Sequence, residues 1–515
     1  MEFISILNDV LGPVMRGPSS SHTAGAHSIG RMVRSLLDDE PARIRVTFDP
    51  SGSYAPTYVA LGVDTAFTAG VMGWSMMDED FSLAVDKAKS SGVEISFTTR
   101  PLQHSVHPNA VWIEAESQRD VTLVAGADSI GGGAIRFTQL DAWPVHLDGK
   151  SHDVLFEVKL EAAGEAEDLL HNALLPLDLC REEGDASVLL HARCPTQPGP
   201  ELLDRMRRLD GAERLRYIPP LHHVGHGEAL FSSGEEMISL AEQRGCSLGR
   251  LALAYESQLL GIPEEAVLEE MARRLEVMEE SVRFGLDDDR SDMLLLKPTA
   301  RSILESEAAG RVAVGGIHAR AAARAMAVMH ACNSRAVVCA APTGGSAGVI
   351  PGVLVSLTEE TGLAHETAVL ALLAAAAVGL IVARRATFAA ETAGCQVEIG
   401  AAGAMAAAAV VEAGGGSARQ AADAAAIALQ NTMGSVCDPV HGTCEIPCHT
   451  RNAVAASSAF VCADIILGGY RNAVPLDETI DASYAVGKAL PAELRCTAGG
   501  GLAVTPSARS IQRLR

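Results

Sequence analysis

Val369-Leu-Ala-Leu-Leu-Ala-Ala-Ala-Ala-Val-Gly-Leu-Ile-Val-Ala383 runs for fifteen residues with no polar side chain, and Arg384 and Arg385 follow it. The run is shorter than the roughly 20 residues a membrane span needs, so it predicts a helix buried in a protein core. Alanine and glycine dominate it, which suits helices packed closely together. The segments around it read the same way. Helical spacing is found at Glu235–Arg244, Ser247–Leu259, Pro263–Phe284, Ile317–Cys332, Glu366–Arg385, Ala401–Ala413, Ala418–Met433 and Asn452–Leu467. Residues 230–515 are therefore predicted to form an all-α domain.

Upstream, the period changes. Asp153–Leu160, Ala186–Ala192 and Glu213–Ile218 read as strands, Glu165–Leu174 and Pro200–Leu209 as helices, with a weakly marked strand near Pro176–Cys180. The order βαββαβ is the ferredoxin-like one, and it predicts a small domain over residues 149–222. Pro219-Pro220 and the histidine-rich stretch to Glu228 read as a linker. Before it, Arg43–Asp49, Glu94–Thr99, Ala110–Glu116 and Ala134–Thr138 alternate like strands, and a helical pattern runs to about Leu37. Residues 1–148 are predicted to be α/β. The chain of 515 residues is thus multidomain.

The formal charge is −23, which repels phosphate backbones and argues against nucleic acid as a partner. Eleven cysteines are scattered rather than arranged as a secreted disulfide scaffold, and the N-terminus lacks the pattern of a signal peptide. A cytoplasmic protein that keeps off membranes is expected.

Glycine- and proline-rich breaks between the helices hold the residues able to do chemistry. Cys395, Cys437 and Cys448 are spaced 42 and 11 residues apart, each beside Gly or Pro or within two residues of one. Three thiolates can hold three irons of a [4Fe–4S] cube and leave the fourth open as a Lewis acid. Cys444 is a possible fourth ligand. Cys180, Cys194, Cys246, Cys332, Cys339 and Cys462 read as small buried apolar side chains. In Gly17-Pro-Ser-Ser-Ser-His-Thr-Ala-Gly25, Ser19, Ser20, Ser21, His22 and Thr23 exceed what a helix cap needs. They could bind a carboxylate, and His22 could move a proton near neutral pH. The loop Ala341-Pro-Thr-Gly-Gly-Ser-Ala-Gly348, with Thr343, Gly345 and Ser346, resembles a phosphate cradle but lacks its lysine; it reads as an anion-binding turn. His107, before a strand, reads as structural when taken alone.

These motifs resemble those of the iron–sulfur-dependent L-serine dehydratases. Gly17–Gly25, His107-Pro-Asn and Ser129-Ile-Gly-Gly-Gly133 are similar to the family's β-type chain. Ala341–Gly348, Gly394-Cys-Gln, Cys437-Asp-Pro-Val, Ile446-Pro-Cys448, Arg451-Asn-Ala453 and Gly499–Ala503 are similar to its α-type chain. The middle segment resembles an ACT-like module. The resemblance implies a [4Fe–4S] cluster on Cys395, Cys437 and Cys448, with the Ser19–Thr23 and Thr343–Gly348 loops meeting over it. It also implies elimination of water from L-serine to give pyruvate and ammonia, and a homodimer. His22 is the first candidate for the base, with Ser20 and Ser21 beside it; Ser19, Thr23, His107, Thr343, Gly345 and Ser346 would hold substrate.

Some positions depart from the family. Leu61 and Val63 stand where it has an imidazole and a hydroxyl. Arg385 replaces an amide, Ala389 a serine, and the chain ends without the terminal cysteine of single-chain members. Arg385 could then pair with an extra anionic group on a different β-hydroxy or β-thio amino acid, such as L-threonine, L-cysteine or 3-hydroxyaspartate. Loss of the imidazole and presence of the ACT-like segment also allow a non-catalytic amino-acid-binding regulator. An allosteric amino acid could bind that segment.

Overall fold

The structure, a computed structural model, describes residues 3–102, 107–174 and 176–514. Twelve strands are formed among them: β1 (Val14–Arg16), β2 (Pro41–Phe48), β3 (Glu94–Thr99), β4 (Ala110–Ser117), β5 (Thr122–Gly131), β6 (Ala134–Leu140), β7 (Trp143–Leu147), β8 (His152–Lys159), β9 (Asp178–Glu183), β10 (Ser187–Cys194), β11 (Ala212–Ile218) and β12 (Val337–Cys339).

The N-terminal α/β part is built on a six-stranded sheet in the order β3-β2-β4-β5-β6-β7. β2 and β3 are parallel and the other pairs antiparallel. Alternating residues of β4 (Val111, Ile113, Ala115) face a core shared with the helices Gly25–Leu37 and Val63–Val71. β5 and β7 carry weaker alternation and only the structure reveals them.

Residues 152–218 follow the order βαββαβ and form a second sheet, β11-β8-β10-β9, antiparallel throughout. Its own core joins Val154, Phe156, Val158, Val188 and Leu190 to Leu170 and Met206 of its two helices. β9 is an edge strand with mostly exposed side chains. Cys180 lies on it and is exposed, and Cys246 is half-buried; neither is the buried apolar residue expected.

Beyond residue 230 the described residues are almost wholly helical. His365–Arg385 is central, packed on Ile399–Ala413 and Leu248–Leu260. Ala374 to Ala377 are fully buried, and their small side chains let the helix axes approach. The apolar run expected to be too short for a membrane belongs to a helix of 21 residues, since His365–Ala368 precede it and Arg384 and Arg385 continue it. It, Cys395–Ala413 and Cys448–Leu467 are long and apolar enough to cross a membrane by length and composition. Of their apolar windows 78%, 94% and 50% are buried inside the protein.

The N-terminal part is stitched to the helical part. β1 pairs antiparallel with β12, Val14 opposite Cys339 and Arg16 opposite Val337. Ile6, Leu7, Val10 and Leu11 pack into the helical core, and buried Glu256 accepts the amides of Ile6 (2.8 Å) and Leu7 (3.0 Å). That stitching sets the Ser19–Thr23 loop directly above the glycine-rich loop at Thr343.

Candidate active site

The sulfur side is assembled from a short 3-10 turn, an isolated bridge and a helix start. Gly394, at a φ of +75°, turns the chain so that Cys395 opens a short 3-10 turn. A side chain at Gly394 would strike the Ser435 carbonyl. Cys437 is held by its backbone: its N–H donates to Leu494 (2.9 Å) and its carbonyl accepts from Cys496 (2.8 Å). Cys448 is the first residue of the helix Cys448–Leu467 rather than the end of a loop. All three are buried. The sulfurs of Cys395 and Cys437 and a carboxylate oxygen of Glu398 lie within 4.8 Å of one another. Cys448 interacts with Cys444, and Cys496 with Cys437.

Crowding and burial govern how these groups ionise. Contacts with Cys395 and Cys496, reinforced by burial, push the Cys437 thiol well above its usual range. The Cys437 contact favours the Cys395 thiolate, but burial and the nearby Glu398 charge outweigh it. Arg451 counters this, with Nη1 3.6 Å from the Cys395 sulfur and 2.8 Å from the Val436 carbonyl. Burial lifts the Glu398 carboxyl to about 7, against the lowering effect of the Thr343 hydroxyl. Buried thiols beside a guanidinium are suited to a cation that displaces their protons. The donor set therefore fits an iron–sulfur cluster.

The opposite wall is made of hydroxyls. Ser19 caps its own turn, and its Oγ lies 3.2 Å from His22 Nδ1; Ser21 Oγ is 3.0 Å from the same nitrogen. His22 Nε2 meets Ser53 Oγ at 3.2 Å. Burial lowers the His22 pKa to about 3, so its imidazole is neutral. Thr23 donates to the Leu61 carbonyl (2.9 Å). The two loops meet where the Gly344 N–H donates to Ser20 Oγ (3.2 Å). Thr343 Oγ1 donates to Glu398 (2.6 Å) and lies 3.0 Å from Ser346 Oγ. A Cβ at Gly345 would sit 2.5 Å from Glu398 Oε1, so only glycine leaves room for that carboxylate. Asn452 ties the loop to the Cys448 helix, donating to Gly345 and Cys448 carbonyls at 2.8 Å each.

Two expected residues stand elsewhere. Arg385 turns its guanidinium to Asp481, with Asp477 3.9 Å away, and shares no hydrogen bond with the group above. Its charge is met by protein carboxylates. His107 accepts the Asn109 N–H (3.2 Å) and interacts with Asp128; it is Asn109 that reaches inward, donating to buried Glu391. Ser53, Glu391 and Glu398 were not singled out from the sequence, and Asn109 entered only within the His107-Pro-Asn motif. Two acids flanking Cys395 in an otherwise apolar stretch were the available signal, because a buried carboxylate needs a dedicated partner.

Residues 207–503 match the family model described as serine dehydratase alpha chain. A probable L-serine dehydratase alpha chain of Bacillus subtilis is 37% identical over 284 residues, covering 55% of this chain and 95% of its own. The L-serine dehydratase alpha chain of Peptoniphilus asaccharolyticus is 34% identical over 285 residues, 55% of this chain and 98% of its own. A probable beta chain from Bacillus subtilis is 40% identical over 155 residues, 30% of this chain and 68% of its own. The chain belongs to the serine dehydratase family, with segments similar to its beta and alpha chains joined in one polypeptide.

Proposed function

We propose that this chain is an iron–sulfur-dependent lyase that eliminates water from L-serine and releases pyruvate and ammonia. One observation carries the reading. The hydroxyl loop of the beta-like segment is hydrogen-bonded to the glycine loop of the alpha-like segment, beside the grouped Cys395, Cys437 and Glu398. Cys395, Cys437 and Cys448 would hold a [4Fe–4S] cluster, whose open iron supplies Lewis acidity to the departing β-hydroxyl.

The remaining work falls to side chains. Ser20, whose Oγ accepts from the Gly344 N–H, donates its hydroxyl proton to the substrate carboxylate. Neutral His22 holds the hydroxyls of Ser19, Ser21 and Ser53 in place. With a conjugate acid near 3, it is a poor proton acceptor, so the base assigned to it from the sequence moves to Glu398. That carboxylate sits near neutral pKa beside the sulfurs and takes the Cα proton at an Oε. The eliminated enamine tautomerises and hydrolyses in water. Because Arg385 is engaged by Asp481, it does not favour a substrate with a second anion. Loss of the imidazole at Leu61 does not remove an acid–base pair, since Glu398 remains.

We read residues 1–148 as the β-type part, 149–222 as a ferredoxin-like, ACT-like regulatory module, and 230–515 as the catalytic helical part. The strand order β11-β8-β10-β9 supports the second of these. Burial of the long apolar helices supports a cytoplasmic enzyme, and a homodimer is our assignment from the family.

Anaerobic reconstitution with iron and sulfide tests the proposal. It should give about four irons per chain and L-serine turnover far above that of L-threonine, L-cysteine and 3-hydroxyaspartate. Full turnover by metal-free protein would refute it.

A further inference from the structure

Five thiols face one small region, two more than the proposed cluster needs. Cys444 neighbours Cys448 in the same loop. Cys496 comes from 59 residues beyond Cys437 and is tied to it by backbone. The Cys437 N–H donates to Leu494, the Cys496 N–H donates to the Cys437 carbonyl, and Cys437 and Arg495 form a parallel bridge. Two main-chain bonds thus hold the two segments in register, and the two thiols interact. Cys496 stands at a φ of +61°, a left-handed conformation that costs a non-glycine residue energy. Its surroundings explain how it is held there: its carbonyl accepts from Ser53 (3.4 Å), and Arg495 donates to the Thr392 carbonyl (3.1 Å). Cys496 is half-buried while Cys437 is buried, so of the two residues Cys496 lies nearer solvent.

We infer that Cys437 and Cys496 form a reversible disulfide when the protein holds no cluster, so that oxidation takes a cluster ligand out of service. The partner is a low-molecular-weight disulfide. The Cys496 thiolate attacks one of its sulfurs, breaking that S–S bond and expelling a thiolate. The Cys437 thiolate then attacks the Cys496 sulfur of the mixed disulfide and expels the second small thiolate. Two protein thiols are oxidised, one small disulfide is reduced to two thiols, and the two protons pass to those thiols. The rival partner is Cys395, whose sulfur lies within 4.8 Å of that of Cys437; it differs in accepting from Arg451 Nη1 (3.6 Å) and in having no backbone bond to Cys437. The consequence for iron loading rests on the cluster reading above; the pairing does not.

The experiment exposes metal-free full-length protein to glutathione disulfide and maps the bonds by mass spectrometry. Cleavage before Asp438 separates Cys437 from Cys444 and Cys448. The expected product is a Cys437–Cys496 cross-link, absent from Cys496→Ser and from protein reconstituted before exposure. Iron uptake by the oxidised wild type should fall at least fivefold and return after reduction with dithiothreitol, while Cys496→Ser treated alike keeps its uptake within twofold. A dominant Cys395–Cys437 or Cys444–Cys448 link, or glutathione left on Cys496 without closure, overturns the inference. So does a confirmed Cys437–Cys496 link that leaves iron uptake unchanged. If the link forms but reduced, unexposed protein takes up no iron, the pairing stands and the cluster reading fails.

Discussion

The two walls of the site are built from opposite chemistry. The beta-like wall presents Ser19, Ser20, Ser21 and Ser53 around an imidazole that burial keeps neutral. The alpha-like wall presents thiols, the buried Glu391, the half-buried Glu398 and a guanidinium. Neutral hydroxyls can be desolvated at modest cost once they bond to one another, whereas buried ionisable groups change their proton affinity instead. One wall is therefore suited to orienting a substrate and the other to holding metal and proton.

Exchanging the chemistry of the alpha-like wall should cost most. Cys395→Ser, Cys437→Ser or Cys448→Ser should lower iron content and serine turnover together, by about a thousandfold or more in turnover if the open iron is essential. Unchanged iron and rate in any of the three would break the assignment. Glu398→Gln should keep the iron and lower kcat by about 10²–10⁴, the usual worth of a general base. If His22→Asn showed that loss in place of Glu398→Gln, the division of labour between the walls would be reversed.

The third expectation concerns pH. His22 has its folded-state pKa depressed from 6.5 to about 3, so the unfolded chain binds this proton more readily. Its contribution to metal-free stability is fully present above pH 6.5 and is lost as pH falls toward 3, worth about 5 kcal/mol at most. Urea unfolding of metal-free wild type and His22→Asn across that window should converge as pH drops; parallel curves would contradict a neutral, buried ring. Ser20→Ala should raise KM about tenfold with little change in kcat, the scale of one hydrogen bond. The smallest effect is expected at Arg385→Ala, a half-exposed ion pair, with less than a twofold change in serine kinetics.

The long alanine-rich helices were legible because fifteen apolar residues in a row leave no surface face. The βαββαβ segment was legible because its periods alternate between 2 and 3.6. β5 was missed: Thr122–Gly131 is buried on both faces over much of its length, so no alternation marks it. Within the site, the cysteines and the hydroxyl loop stood out as unusual residues beside glycine and proline. Glu398 did not, since its role depends on Thr343, 55 residues away, and on a neighbour small enough to admit it. Arg385 misled because a guanidinium near a pocket in sequence says nothing of Asp481, 96 residues further on.

The pairing of β1 with β12 has a bearing on dilution. Where two separate subunits must meet to complete such a site, occupancy follows their concentrations. Here Val14–Arg16 and Val337–Cys339 lie on a single polypeptide, so the encounter is replaced by chain closure and the local concentration is set by covalent connection alone. Neither half can be made in excess of the other.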